Sequence, residues 1–403
     1  MQNKDLANAK NAKKDEFYTQ FYDIEREVEC YLDYNPDVFR GKSVLLPCDD
    51  PEWSNFTRYF AENFERLGLR RLVSTSYAIE SKQFKVSLQT SLFEEQSPQY
   101  DADKSKTHGK IFILDSDKTG DGRVDLDDLK WHYLEGDGDF RSNEVRRLRD
   151  EADIIVTNPP FSLFREFFGW IMEADKQFLI IGNMNAVTYK EIFPYIKENK
   201  VWYGESIHSG DREFAIPDEY PIEASGWRVD ENGRKYIRVK GVRWYTNLEH
   251  GRRHKPMDLM TMADNRKYSK HHGNDKWRFA YLPYDNYDAI EVPFSDAIPS
   301  DYDGVMGVPI SWLDFYCPEQ FEILGITAGR DEFDKIAWPI KRYVNPIQIN
   351  KNGSKSNGSK ANTRATILLD TIPDDIYYIA DNAECPIQIT YARILIRKRN
   401  ERA

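Results

Sequence analysis

The chain has 403 residues, of which 40% are hydrophobic and 31% charged, and a formal net charge of −11. A length of this kind predicts roughly two to three domains with real apolar cores and excludes a disordered or collagen-like protein. No apolar run nears the ~20 residues of a membrane span.

The N-terminal stretch MQNKDLANAKNAKKDEF is polar and lysine-bearing, without the apolar region of a secretory signal. Cys30, Cys48, Cys317 and Cys385 are scattered, with no CxxC pair. Both features predict a reducing, cytoplasmic location and argue against structural zinc.

In chain order, residues 15–35 predict an amphipathic helix entered through Phe-Tyr-Thr-Gln. Residues 43–50 (SVLLPCDD) predict a buried strand running into a loop, and 53–68 a helix stopped by Gly68. Residues 70–79 form a second predicted strand. Ser142 is a predicted N-cap for a helix over 142–152. Residues 153–157 (DIIVT) predict a strand, 162–174 a helix, 177–183 a strand and 188–199 a helix. This alternation with short loops predicts an α/β domain built on a doubly wound parallel sheet. Its ligands belong at the carboxyl ends of the strands, after Leu46, Thr157 and Ile181. Beyond about residue 200 the rhythm changes to strand-like, basic pieces such as 235–248.

Charge is segregated along the chain. From Arg234 to Arg278 thirteen Lys/Arg face four acids, a net +9, interleaved with Tyr236, Trp244, Tyr245, Tyr268 and Trp277. A second basic stretch, 351-KNGSKSNGSKANTR-364, carries no acid and is expected to be a mobile clamp. Basic side chains neutralise phosphates, and aromatic rings wedge or stack where a base has left. The polarised charge therefore points to a large anion such as a nucleic acid, or to a solvated basic surface, despite the acidic total.

The strand 154–157 runs directly into Asn158-Pro159-Pro160-Phe161. The nitrogen of an exocyclic amino group on a base is a poor nucleophile, because its lone pair is delocalised into the ring. Two acceptors that bind the NH₂ hydrogens pull it toward sp³. The Asn158 side-chain oxygen and the Pro159 carbonyl are those acceptors. Pro159 and Pro160 stiffen the turn and carry no N–H of their own. Phe161 offers a face for stacking. A paired base is out of reach, so the substrate base must leave its duplex.

These residues, together with DEFYTQFYDIE (15–25), CDDPEWSNF (48–56), EGDGDFRSNEV (135–145), SGDREF (209–214), IRVKGVRWYTNL (237–248) and DYDGVMGVPISWLD (301–314), resemble the EcoRI-type family of adenine-specific DNA modification methylases over nearly the whole chain. The resemblance implies a Rossmann-like S-adenosyl-L-methionine-dependent methyltransferase sheet over residues 1–250 and a C-terminal DNA target-recognition region over 251–403. It also implies S-adenosyl-L-methionine as donor, N6 of a flipped adenine as acceptor, and a cognate restriction endonuclease as companion. By the same resemblance Tyr18 and Thr19 lie near the methionine end of the cofactor. Pro47, Cys48, Asp49, Asp50, Asn55 and Phe56 line its pocket, and Asp139 and Phe140 flank the adenosine. The loop after the first strand has no GxG, and Ser74-Thr75-Ser76 stands where a ribose-binding carboxylate is usual, which leaves Asp49 or Asp50 for that contact.

Residues 117–128 (DKTGDGRVDLDD) fit the register of a calcium loop, with Asp117, Thr119, Asp121, the Arg123 carbonyl, Asp125 and Asp128 as ligands and Gly122 at the sharp turn. Position 12 is Asp rather than Glu, and a strand-like stretch replaces the entering helix. A Ca²⁺ ion here would be structural. Two other readings stand beside DNA methylation: transfer to RNA adenine or a protein glutamine amide, and a catalytically silent, calcium-responsive DNA-binding protein.

Overall fold

The computed structural model describes residues 19–47, 49, 54–78, 100–124, 128, 130–208, 211–216, 227–327 and 339–399. The chain divides into two compact units: Met1–Ala186 with Val201–Gly251, and Val187–Lys200 with Arg252–Ala403.

The first unit is mixed α/β. Helix α1 (Phe21–Tyr34) precedes strand β1 (Ser43–Leu46), and α2 (Asn55–Glu62) leads through a short helical turn, Phe64–Leu67, to β2 (Arg71–Ser76). Gly68 ends that turn at φ 64°, a conformation glycine adopts without strain. Strands β3 (Lys110–Leu114) and β4 (Lys130–Tyr133) follow, then α3 (Asn143–Glu151), β5 (Ile154–Thr157), α4 (Phe164–Glu173) and β6 (Gln177–Asn183). Ser142 caps α3 by accepting from Val145 N–H at 3.2 Å. Strands β7 (Trp202–Tyr203), β8 (Asp211–Ala215), β9 (Trp227–Val229), β10 (Lys235–Lys240) and β11 (Val242–Thr246) complete the unit.

Eight strands form one sheet in the order β4-β3-β2-β1-β5-β6-β11-β7. The centre, β2-β1-β5-β6, is parallel. Strands β3 and β4 extend one edge antiparallel, and β11 runs antiparallel to β6 at the other. The expected parallel sheet is thus a mixed one. The reason is physical: an alternating pattern of apolar runs reports burial, and edge strands are buried alike in either direction. Every residue of β1 and β5 is buried, as strands covered on both faces require.

From β1 the chain moves outward to β2, then returns to the other side of β1 to form β5 and β6. The order therefore reverses between β1 and β5. Their carboxyl ends border the crevice where open α/β sheets take ligands.

Two other sequence readings change. The stretch 235–248 is two strands, not one. Gly241 (φ 69°) breaks it, leaving β11 in the large sheet and β10 at the centre of a three-stranded sheet, β8-β10-β9. The helix expected over 188–199 is confined to α5 (Phe193–Lys197), because Pro194 restricts the residue before it and can sit only in a first turn.

In the second unit, strands β12 (Ile290–Glu291), β13 (Met306–Pro309), β20 (Arg393–Lys398) and β14 (Phe321–Ile326) make one sheet. A buried ion pair, Arg393 Nε to Glu291 Oε2 at 3.0 Å, joins its strands. A second sheet has the order β16-β15-β18-β19-β17: Lys355–Asn357, Ile347–Ile349, Tyr377–Ile379, Ile387–Ile389 and Thr366–Leu368. The basic stretch 351–364, expected as a mobile clamp, carries the turn and second strand of the β15–β16 hairpin and then a 3₁₀ turn, Ser359–Asn362. Among the described residues no helix is long and apolar enough to cross a membrane.

Candidate active site

The loop after β1 and the turn after β5 are tied to each other. Thr157, the last residue of β5, donates its hydroxyl toward the Pro47 carbonyl at 2.8 Å and lies 2.6 Å from Asp49 Oδ2. Asp49 is 7% exposed. Its Oδ1 accepts from Ser54 Oγ at 2.7 Å, and its carbonyl accepts from Thr57 Oγ1 (3.3 Å) and from Ser74 Oγ. Ser54 also caps α2 through Phe56 N–H at 3.1 Å. Buried hydroxyls from α2, β2 and β5 thus hold a loop whose sequence has no glycine. Thr157, Ser74 and Thr57 were not singled out as site residues in the sequence. The available signal was a run of hydroxyl residues in strands that are otherwise apolar.

Asn55, the first residue of α2, donates Nδ2 to the Thr19 carbonyl at 2.7 Å, so the segment before α1 reaches the same network. Thr19 is 3% exposed. Its Oγ1 and the neighbouring Gln20 Nε2 are shielded from solvent and meet no hydrogen-bond partner among the described residues. A buried polar atom left that way costs about 1–3 kcal/mol, which a bound polar ligand would offset. Gln20 adds a residue that sequence reasoning did not assign.

Asn158 follows directly and is half-buried, with Oδ1 shielded from solvent. Pro159 is buried. The Pro160 carbonyl accepts from Leu163 N–H at 2.9 Å, starting a 3₁₀ turn, Phe161–Leu163, that leads into α4. The Phe161 ring packs on the main core and meets Phe214 edge-on, with centroids 6.5 Å apart.

The remaining predicted cofactor residues are placed as follows. Phe56 is buried against Trp244, with ring centroids 6.0 Å apart. Phe140 is enclosed by Phe167 (5.1 Å) and Trp170 (5.7 Å). Asp139 is ion-paired with Arg141 at 2.6 Å, and that hydrogen bond raises the Arg141 pKa. The loop carrying Asp139 lies against the end of β2: a Cβ at Gly138 would stand 2.2 Å from the Ser76 carbonyl oxygen. Tyr18, Cys48 and Asp50 lie outside the described residues.

The calcium reading gains no support. Asp117 accepts from Gly120 N–H (2.6 Å) and Gly122 N–H (2.8 Å), and Asp128 from Lys118 N–H (2.6 Å) and Thr119 N–H (2.8 Å). Asp121 accepts from Arg123 N–H at 2.9 Å, and Thr119 Oγ1 points back to Asp117. The carboxylates brace the loop's own amides. Asp125 lies outside the described residues, and no group of three or more His, Cys, Asp or Glu able to hold a metal ion occurs among the described ones.

The basic block 234–278 is not one face. Arg243 (3% exposed) bonds the Val242 and His208 carbonyls, and Trp244 and Tyr245 are core residues. Arg253 is buried beside Asn199. Lys267, Lys276 and Arg278 are exposed and sit over the rings of Tyr268 (4.8 Å), Tyr391 (5.3 Å) and Phe279 (4.6 Å).

A large mixed sheet whose reversal point joins a hydroxyl-braced loop to an Asn-Pro-Pro-Phe turn is consistent with a methyltransferase fold. Residues 5–399 match the family model described as adenine-specific methyltransferase EcoRI. The chain is 42% identical to the type II methyltransferase M.EcoRI of Escherichia coli, over 82% of this chain and 92% of that protein. It is 34% identical to the type II methyltransferase M.MpnI of Mycoplasma pneumoniae, over 80% of this chain and 85% of that protein. No solved structure matches. The chain belongs to the EcoRI family of adenine-specific methyltransferases.

Proposed function

We propose that this adenine-specific methyltransferase acts on N6 of an adenine extruded from sequence-specific double-stranded DNA, with S-adenosyl-L-methionine as donor. The observation that carries the reading is the Thr157 hydroxyl, which lies within hydrogen-bond distance of both the Pro47 carbonyl and Asp49 Oδ2 and donates its one proton between them. It makes the turn meant for the base and the loop meant for the cofactor one rigid piece at the reversal point of the sheet. On this reading residues 1–250 form a Rossmann-like catalytic region and 251–403 the target-recognition region. The exposed Lys267, Lys276 and Arg278, with Lys355 on the β15–β16 hairpin and Lys360 in the 3₁₀ turn after it, neutralise phosphates. A cytoplasmic place beside a cognate restriction endonuclease goes with it.

The chain's residues fit the cofactor, since Thr19 Oγ1 and Gln20 Nε2 are buried polar atoms with no hydrogen-bond partner among the described residues, beside the braced loop. When bound, it supplies an electrophilic methyl group on a sulfonium. Asn158 Oδ1 and the Pro159 carbonyl accept the two N6 hydrogens and concentrate the lone pair on nitrogen. The Pro160 carbonyl is already engaged by Leu163, so the role falls to Pro159. Phe161 supports the base plane. Holding the amine in line contributes most of the acceleration, and no strong base is needed.

Transfer of a labelled methyl group tests this. Duplex DNA should accept label and single-stranded RNA and protein should not. Label in RNA adenine or a protein glutamine, with none in duplex, would overturn the DNA assignment.

A further inference from the structure

The three-stranded sheet β8-β10-β9 of the catalytic unit carries an apolar row, aromatic at both ends, that the mechanism above does not use. Phe214, Ile237 and Trp227 stand directly opposite one another across its strands, so their side chains share one face. At one end of the row Phe214 is buried and touches Phe161 of the Asn-Pro-Pro-Phe turn. Ile237 and Val239 pack on the same core. At the other end Trp227 is 46% exposed, and Val229, on that face two residues on, is also 46% exposed. A single exposed apolar residue needs no explanation. An indole and a valine continuous with the catalytic turn do.

The opposite face is braced. Arg228 lies 4.5 Å from the Tyr236 ring centroid and pairs with Glu213 at 2.8 Å, which holds the Glu213 carboxyl below its usual range. The β9–β10 turn is closed by Asp230, which accepts from Asn232 N–H and Arg234 N–H, both at 2.9 Å, and by Gly233 at φ 80°. Arg234, Arg238 and Lys240 are exposed along β10 and its turn. The sheet is thus stiff and cationic along its middle strand, with an indole at the edge of its apolar face.

We propose that this sheet is a DNA-engaging arm of the catalytic unit, and that Trp227 packs against the bases flanking the extruded adenine. The inference rests on the reading that an adenine is flipped toward Phe161. Removing a base from its stack exposes the faces of its neighbours, and an aromatic ring at that point recovers part of the lost stacking. Arg238 and Lys240 project from the face of β10 opposite Trp227 and add to the positive field of the arm.

The test uses the full chain and two duplexes carrying its target site, one with the target adenine for turnover and one with 2-aminopurine in its place for the flipping signal. Trp227→Ala should lower turnover by about tenfold or more, the scale of one base–aromatic stack, and dim the 2-aminopurine signal. Cofactor affinity should stay within about twofold of wild type, and Trp227→Phe should restore most of the turnover. Subtracting the Trp227→Phe emission from wild type isolates the Trp227 signal. Iodide should quench that signal in the free protein and not in the DNA complex. Wild-type turnover and full 2-aminopurine signal in Trp227→Ala, or undiminished quenching in the complex, would overturn the proposal. Absence of methyl transfer by the wild type would instead defeat the underlying reading, and the quenching comparison would still decide whether Trp227 contacts DNA.

Discussion

Asp49 and Asp117 both stand in loops of the first unit, and their surroundings differ. Asp49 is buried, with one carboxylate oxygen taking the Ser54 hydroxyl and the other 2.6 Å from the Thr157 hydroxyl, and these partners come from two different elements. Asp117 is half-buried, and its bonds run to the amides of Gly120 and Gly122 in its own loop. The first aspartate joins β1, α2 and β5 around a crevice. The second closes a turn upon itself. A carboxylate therefore marks a site when its partners are remote in sequence and converge on a strand end, and a turn when they are its neighbours.

Substitutions can sharpen or break that contrast. The largest effect is expected at the turn Asp49 indirectly holds: Asn158→Ala should cost roughly 10³-fold or more in methyl transfer, about 4 kcal/mol of barrier. Its DNA affinity should remain within about tenfold, or 1.4 kcal/mol, by fluorescence anisotropy. Next, Asp49→Ala removes the acceptor of the buried Ser54 hydroxyl and one of the two acceptors beside Thr157, and should lower unfolding free energy by about 1–3 kcal/mol in urea titration.

Thr157→Val keeps the shape of β5 and removes the hydroxyl that links it to the β1 loop. A loss of about 1–2 kcal/mol is expected, with cofactor affinity by calorimetry weakened several-fold, roughly 1 kcal/mol. Asp117→Ala should cost about 1 kcal/mol or less, as for a lost local cap. Calcium at millimolar concentration should move the melting temperature by less than about 1 °C, and a shift of several degrees would restore the metal reading.

Much of this was legible in the residues. The Ser142 cap, the Gly68 stop and the apolar runs of β1, β5 and β6 each report a local requirement, and each element is present. The Asn-Pro-Pro-Phe turn stands out because two prolines after a buried strand have few other uses. Strand direction at the sheet edges was not legible, since burial is blind to it. Nor was the separation of β10 from β11, where one glycine in a left-handed conformation sends adjacent residues to different sheets. The burial of Arg243 and Trp244 inside a basic stretch follows from that separation. The hydroxyl network around Asp49 was hidden for a different reason: Ser54, Ser74 and Thr157 meet only after the sheet is assembled.

Mapping N6-methyladenine by sequencing DNA from cells that express either the wild type or Asn158→Ala tests the account most directly. The wild type should mark adenine within one duplex motif throughout the genome, and Asn158→Ala should leave that motif bare while the protein accumulates normally. An unmarked genome with active wild type, or marks that persist with Asn158→Ala, would contradict it.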